Sequence, residues 1–239
     1  LGMKVIAIPK TMDNDVRNTE YCIGFSTAVT RAMDAIQRQR TTVGSHERVG
    51  IFRVFGRDAG YTALYTAYVT SIRCCIPEHV VNLEKLVELL MVEKRTTASN
   101  YVLVVLSEGA KWEGYTVQEY GEPDAFGHRR KASVGEALAT EISLRTGEES
   151  MVSDLTYDLR SGEPDFADKL IAATFGNLAL DAWLAPDRGF PPSAWVGVAE
   201  ISQRVWCGPF PPAPHTPRRC LRLRGPWPWP RCRTARSPG

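Results

Sequence analysis

The sequence predicts an α/β fold in which a mostly parallel sheet carries helices on both faces. Through residues 1–189, short apolar runs alternate with amphipathic stretches, the order typical of repeated β-α units. Apolar residues make up 44% and charged residues 23% of the 239-residue chain, values close to the average for folded domains. This composition disfavours disordered, collagenous and membrane-spanning classes of protein.

Five apolar runs predict the strands. The first ends at Pro9 and the third at Pro77, and proline favours a loop after a strand. The fourth run, YVLVVL, is apolar without interruption, as in a strand that is buried on both faces. The five runs are residues 3–8, 49–54, 73–76, 101–106 and 151–157.

Amphipathic stretches between these runs predict five helices. Apolar residues recur at helical spacing on one face of the first and third stretches. Gly147 closes the fourth predicted helix, and Pro164 stands where a first-turn proline opens the fifth. The helices are expected at residues 25–36, 59–72, 83–91, 133–145 and 164–184, and the polar stretch 112–130 is expected to be a surface loop.

The composition changes abruptly near Phe190. Residues 190–239 contain eight arginines and 11 of the 16 prolines but one acidic residue, so they carry a net charge of +7 against −5 for residues 1–189. Because proline lacks a backbone N–H, we expect no packed fold in this Pro/Arg/Trp-rich tail. Our hypotheses for it are disorder or a reading-frame change; an arginine-rich arm for nucleic acid is the alternative that we disfavour.

The sequence also bears on the compartment. No run approaches the roughly 18 apolar residues that a membrane-spanning helix needs. The six cysteines show no paired CxxC spacing, which disfavours a disulfide framework and a zinc site. We therefore expect a cytoplasmic protein with neither membrane nor nucleic acid as a partner.

The residues that follow the predicted strands suggest a site for anionic ligands. In open α/β sheets, ligands bind beyond the carboxyl ends of the strands. The loop after the first strand, PKTMDND, places a lysine, a hydroxyl and two carboxylates within six residues, a combination that suits phosphoryl transfer. Arg57, Glu108 and Arg160 follow three later strands.

Each of these residues also has a structural interpretation. An Asp-Asn-Asp sequence after a strand is common in turns and helix N-caps, because Asx side chains bond their own backbone. Single arginines such as Arg57 and Arg160 are usually solvated, and Tyr157 suits an amphipathic wall as well as a ligand contact. Residue types and spacing alone leave both interpretations open.

A family resemblance favours the functional interpretation. The segment PKTMDNDV, residues 9–16, closely resembles the signature loop of the 6-phosphofructokinase family. The motifs IGFSTAV, SHERV with VFGR, SEGA and LTYDLRSGEPD follow in the family's order across residues 3–185. The resemblance implies a phosphofructokinase-like α/β fold and a glycolytic phosphotransferase that phosphorylates fructose 6-phosphate at O1 with Mg²⁺. It also implies a homo-oligomer, either a dimer or a tetramer.

The resemblance assigns roles at the reacting end of the substrate. Asp13 corresponds to the base that deprotonates the sugar 1-hydroxyl, Thr11 to the hydroxyl residue beside the phosphoryl group, and Asp15 to the carboxylate near Mg²⁺. Arg57 corresponds to the arginine that stabilises charge on the transferring group. Lys10 favours pyrophosphate as the donor, since many ATP-using members have glycine there; ATP remains the alternative.

Further matches concern the sugar phosphate. Glu108 corresponds to the glutamate that accepts hydrogen bonds from sugar hydroxyls, Arg160 to the arginine that grips the 6-phosphate, and Arg48 to an arginine that serves a neighbouring subunit's site. Tyr157 stands in place of the family's usual histidine. The remaining substrate-contact positions are Phe55, in place of the usual methionine, and Gly56. Met151 stands near the position of a second arginine in bacterial ATP-using members.

The glycine-rich loop that cradles donor phosphates in the family, with its Gly-Gly-Asp sequence, has no counterpart in these 239 residues. We therefore expect an N-terminally truncated chain that has no phosphotransferase activity by itself. The alternative from another class is a non-catalytic relic that binds sugar phosphates or effectors.

Overall fold

The structure is a computed structural model that describes residues 5–17, 19–115, 119, 120, 122, 130–184, 193–199 and 204–209. Its central sheet contains four parallel strands in the order β3 (Arg73–Cys75), β5 (Val102–Ser107), β2 (Val49–Val54) and β9 (Ser150–Leu155). The helices are α1 (Phe25–Ser45), α2 (Tyr61–Thr70), α3 (Leu83–Thr96), α4 (Val134–Thr146) and α5 (Phe166–Leu184). None of them is long and apolar enough to span a membrane, as far as the described ranges extend.

Helices cover both faces of the central sheet, as the sequence predicts. Along β2, Val49 and Ile51 pack with α3 and α4, whereas Phe52 and Val54 pack with α1 and α2. This alternation follows from the two-residue period of a strand. All six residues of β5 are buried, in agreement with its uninterrupted apolar sequence. The α/β class expected from the sequence, with helices on both faces of a parallel sheet, is confirmed.

A second sheet joins the beginning of the chain to residues beyond Phe190. Its order is β1 (Val5–Ala7), β10 (Ser193–Ala199) and β11 (Arg204–Pro209), with β1 parallel to β10 and β10 antiparallel to β11. Helix α5 packs on it through a small core around Phe175 and Leu178, to which Ile6 contributes.

The expectation of no packed fold after residue 190 is wrong for these two strands. The tail's prolines fall at 191 and 192 and then from 209 onward, so the stretch 193–208 is free of proline. Its Val-rich and Trp-containing sequence suits a hairpin, although the average composition of the tail hides it. The proposed boundary at Phe190 and the remainder of the tail lie outside the described residues.

Short elements complete the chain. Two pairs of two-residue strands meet the predicted loop 112–130. Strand β4 (Val80–Val81) pairs with β6 (Lys111–Trp112), and β7 (Glu119–Tyr120) pairs with β8 (Arg130–Lys131). The last strand of the central sheet ends at Leu155 rather than at 157, because Thr156, with φ −98° and ψ −88°, leaves the extended conformation. A 3-10 helix, Tyr157–Arg160, follows directly.

Helix α1 is capped by a side chain from α5. Gly24 precedes α1 with φ 107° and provides no side-chain cap of its own. The buried carboxylate of Asp168 instead accepts hydrogen bonds from the N–H groups of Gly24 (2.8 Å) and Thr27 (2.9 Å), the Tyr21 hydroxyl (2.6 Å) and the Thr27 hydroxyl. These backbone N–H groups have no partner within the helix, and a negative charge at a helix N-terminus is favourable. Asp168 thus holds the start of α1 against α5.

Replacing this carboxylate should destabilise the protein. We expect Asp168→Asn to lower the free energy of unfolding by about 2–3 kcal/mol, because an amide places N–H donors against the N–H and O–H groups that the carboxylate accepts. Urea unfolding followed by circular dichroism measures the change. Asp181→Asn, at an exposed position of the same helix, is the matched control. Equal stability of the two variants would contradict the capping role.

Candidate active site

The candidate site lies where three central strands end side by side. Val54, the last residue of β2, pairs with Ser107 of β5 on one side and with Leu155 of β9 on the other. The polar residues that follow these strands, which sequence analysis selected, therefore emerge at one edge of the sheet.

The segments that follow β2 and β5 cross at very close range. The carbonyl oxygen of Gly56 accepts hydrogen bonds from the Ser107 hydroxyl at 2.5 Å and from the Gly109 N–H at 2.9 Å. A Cβ at Gly109 would lie 1.8 Å from the Arg57 carbonyl oxygen, and Gly56 has φ 129°. Both positions therefore require glycine.

The crossing brings opposite charges together at the mouth of the site. Arg57 and Glu108 leave the crossing on its two sides, and their Nη2 and Oε1 atoms are 3.6 Å apart. The Glu108 side chain is 12% exposed and that of Arg57 is 36% exposed. The guanidinium thus remains accessible to an anion, while the carboxylate faces inward.

The loop after β1 is fixed by its own polar side chains. Asn14, with φ 53°, accepts a hydrogen bond from the Cys22 N–H at 2.7 Å and donates to the Glu20 carbonyl at 2.9 Å, so it joins the two ends of the loop. The buried Thr62 hydroxyl donates to the Met12 carbonyl at 3.0 Å. The turn-forming interpretation of Asp-Asn-Asp therefore applies to its asparagine.

Asp13 has an environment that no turn requires. Its Oδ2 receives a 3.4 Å hydrogen bond from the Thr11 hydroxyl, and its N–H donates to the same hydroxyl at 3.2 Å. Its Oδ1 is buried and has no hydrogen-bond partner. Burial, followed by the charge of Asp15, raises the pKa of the Asp13 carboxyl above its ordinary value.

The same carboxyl connects the loop with the strand ends of the central sheet. The Arg160 guanidinium and the Thr11 hydrogen bond lower the pKa of Asp13, and Glu108 raises it, although burial outweighs them. Asp13 therefore lies within electrostatic range of groups that follow β9 and β5. A buried carboxylate oxygen without a donor, close to a cation, is suited to accept a proton from a ligand.

An aromatic cluster holds Arg160. Its guanidinium carbon lies 4.2 Å from the centre of the Phe55 ring, and the Tyr157 ring meets Phe55 edge-to-face at 6.0 Å. Tyr157 is 77% exposed, so its hydroxyl faces the open side of the cluster. These three predicted residues come together on one side of the site.

Of the other predicted residues, Arg48 lies away from the strand ends that form the site, and Lys10 and Asp15 lie at the surface. Arg48 precedes β2, at the opposite edge of the sheet, where its guanidinium pairs with Glu149 at 2.5 Å. It does not reach the site of its own chain, so its service to a neighbouring subunit stays a prediction. Lys10 and Asp15 are both exposed, and the charge of Asp15 acts on Asp13.

A magnesium ion would have few protein ligands here. Within the described residues, no group of three or more His, Cys, Asp or Glu side chains forms a metal cage. Mg²⁺ is commonly held by one or two carboxylates together with substrate phosphates. The exposed carboxylate of Asp15 fits that kind of site.

Comparison with known proteins assigns the family. The sequence model of the family described as phosphofructokinase matches residues 1–183. The chain belongs to the phosphofructokinase family. Among curated relatives, the chain is 41% identical over 190 residues to the pyrophosphate–fructose 6-phosphate 1-phosphotransferase of Amycolatopsis methanolica. The aligned region covers 79% of this chain and 55% of that protein. The chain is 38% identical over 191 residues to ATP-dependent 6-phosphofructokinase 2 of Streptomyces coelicolor, with the same coverage.

Solved structures agree with the fold. The pyrophosphate-dependent phosphofructokinase from Nitrosospira multiformis superposes with a TM-score of 0.70 at 22% identity, covering 86% of this chain and 51% of that one. The chain spans about half the length of the curated relatives that it matches.

Sequence reasoning missed several residues that build the site. Ser107 and Thr62 each hold a site loop through one buried hydroxyl. A buried serine at the end of an apolar strand was the available signal for Ser107, whereas Thr62 has no such signal in the sequence. Asp168 was missed as well, because its partners are more than 140 residues away.

The close crossing predicts a sharp glycine requirement. We expect Gly109→Ala to lower the free energy of unfolding by about 2–4 kcal/mol, since the added methyl group forces the Arg57 backbone away. Urea unfolding checks this value. Gly176→Ala is the control: a Cβ there meets nothing within 4 Å, and alanine should stabilise the helix. A Gly109→Ala variant as stable as the unchanged chain would overturn the steric argument.

Proposed function

We propose that this chain provides the sugar-phosphate half of a phosphotransferase that phosphorylates fructose 6-phosphate at O1, with pyrophosphate as the donor. The observation that carries the proposal is the buried, unpartnered Oδ1 of Asp13, in electrostatic range of Arg160 and Glu108. Membership of the phosphofructokinase family supports this assignment.

In this proposal, Asp13 accepts the proton of the sugar 1-hydroxyl as that oxygen attacks the terminal phosphoryl group of the donor. The new bond joins O1 to phosphorus, the bond from phosphorus to the leaving phosphate breaks, and the proton passes to Oδ1. The raised pKa makes this carboxylate a stronger base than an ordinary aspartate. Thr11 keeps Oδ2 occupied and so leaves Oδ1 free for the proton.

Other side chains stabilise the negative charge of the phosphate groups and bind the sugar. Arg57 stabilises the transferring phosphoryl group through its planar guanidinium, and Glu108 both holds Arg57 and accepts hydrogen bonds from the sugar. Arg160 binds the 6-phosphate. Asp15 would hold Mg²⁺, which when bound supplies charge neutralisation at the donor phosphates.

Two features support pyrophosphate over ATP. Lys10 is exposed in the same loop as Asp13, where an ammonium can meet a compact, highly charged donor. The pyrophosphate-named relative from Amycolatopsis methanolica is 41% identical, against 38% for the ATP-named relative from Streptomyces coelicolor. ATP is the second candidate. We also propose a homo-oligomer in which Arg48 serves the neighbouring copy, and a cytoplasmic location.

The base can be tested by substitution in a chimaera that joins the preceding region of the Amycolatopsis methanolica relative to this chain. We expect Asp13→Asn to lower kcat about 10²- to 10⁴-fold, since the amide cannot take a proton. Activity of the parent should fall as pH decreases through a pKa above the ordinary 3.8 of aspartate, because protonated Asp13 is no longer a base. Asp34→Asn, at an exposed position of α1, is the control. An unchanged kcat in Asp13→Asn would contradict the assignment.

Donor choice gives a separate test. With fructose 6-phosphate and Mg²⁺, we expect the chimaera to turn over faster with pyrophosphate than with ATP, and the 239-residue chain alone to show no turnover with either donor. A coupled assay for fructose 1,6-bisphosphate measures both. Faster turnover with ATP would select the second donor, and clear turnover by the chain alone would contradict its inactivity. Fructose 6-phosphate binding without turnover in the chimaera would favour the relic.

A further inference from the structure

Two departures from the family's sequence pattern touch each other in this structure. Phe55 stands where the family usually has methionine, and Tyr157 where it usually has histidine. Their rings meet edge-to-face at 6.0 Å with an interplanar angle of 82°, a favoured geometry for aromatic pairs. One residue follows β2 and the other follows β9, so the contact joins neighbouring strand ends.

Arg160 completes this arrangement. Its guanidinium carbon lies 4.2 Å from the centre of the Phe55 ring, within the range of a cation–π interaction. Within the described part of the chain, the guanidinium forms no salt bridge and no hydrogen bond, although it lies in electrostatic range of the Asp13 carboxylate. The ring therefore holds the guanidinium plane, while its N–H groups stay available to an external anion.

We propose that Phe55 is a positioning residue for Arg160, and that Tyr157 fixes the Phe55 ring from the side. This inference rests on the proposed function, because Arg160 is the group assigned to the 6-phosphate. A histidine beside the phosphate would supply charge of its own, whereas a phenol does not do so near neutral pH. In this chain the aromatic pair strengthens phosphate binding by ordering the arginine before the ligand arrives.

The first test measures the placement of Arg160 without any ligand. In the 239-residue chain with isotope-labelled arginine, a side chain stacked over a ring shows upfield NMR shifts from the ring current. We expect such shifts for Arg160, with the signal assigned by Arg160→Gln. They should disappear in Phe55→Leu and persist in Phe55→Tyr. An Arg160 signal at ordinary shifts in the unchanged chain would overturn the proposal.

The second test measures whether the placement serves the phosphate. By calorimetric titration with fructose 6-phosphate, we expect Phe55→Leu to raise Kd about two- to fivefold, the contribution of a partly exposed cation–π contact. Phe55→Tyr, which retains the ring, should restore the parent Kd. In the Arg160→Gln background, Phe55→Leu should change Kd much less, because a positioning residue acts through its partner. Equal losses in both backgrounds would overturn the proposal.

Controls separate this inference from the proposed function. Val92→Ala, at an exposed position on α3, should leave Kd unchanged. If the unchanged chain does not bind fructose 6-phosphate, the assignment of the sugar site fails, and the inference fails with it. If it binds but Phe55→Leu leaves Kd unchanged, only the inference fails. Binding with the expected coupling to Arg160 supports both.

Discussion

The carbonyl oxygen of Gly56 accepts hydrogen bonds from the Ser107 hydroxyl and the Gly109 N–H, and the site is organised around this junction. It prolongs the pairing of β2 and β5 beyond the last residues of the strands. Because the backbones approach too closely for side chains at either glycine, Arg57 and Glu108 leave the crossing in fixed directions. The pairing register of β2 and β5 thus determines where the Arg57–Glu108 ion pair lies.

Asp13 lies in the loop after β1, a strand of the other sheet, and its carboxyl is partly buried. A buried carboxylate oxygen without a donor is unfavourable for stability and persists where the surroundings hold it in place. Here the surroundings are the Thr11 hydroxyl, the two-ended hydrogen bonding of Asn14 and the buried hydroxyl of Thr62. The loop therefore combines a structural asparagine with an aspartate whose carboxylate is unpartnered, so the turn-forming interpretation of Asp-Asn-Asp is confirmed for Asn14, while the functional interpretation of Asp13 stays a prediction.

Local patterns in the sequence predicted the strands, the helices and the strand ends that carry polar residues. Apolar periodicity located the central strands and the helices, and the rule that ligands bind at strand ends located Arg57, Glu108 and Arg160. Local sequence patterns did not predict the features that depend on contacts between residues far apart in the chain. The cap that Asp168 gives to α1 and the contact of Phe55 with Tyr157 depend on residues far apart in the chain. The hairpin at residues 193–209 was hidden by averaging composition over 50 residues.

The cap that Asp168 gives to α1 also bears on the order in which the chain folds. Its hydrogen bond to Gly24 joins residues 144 positions apart. During synthesis, this cap on the first turn of α1 can form only after α5 has left the ribosome. The β2–β5 pairing of the central sheet has no such requirement, so it can form before the cap does.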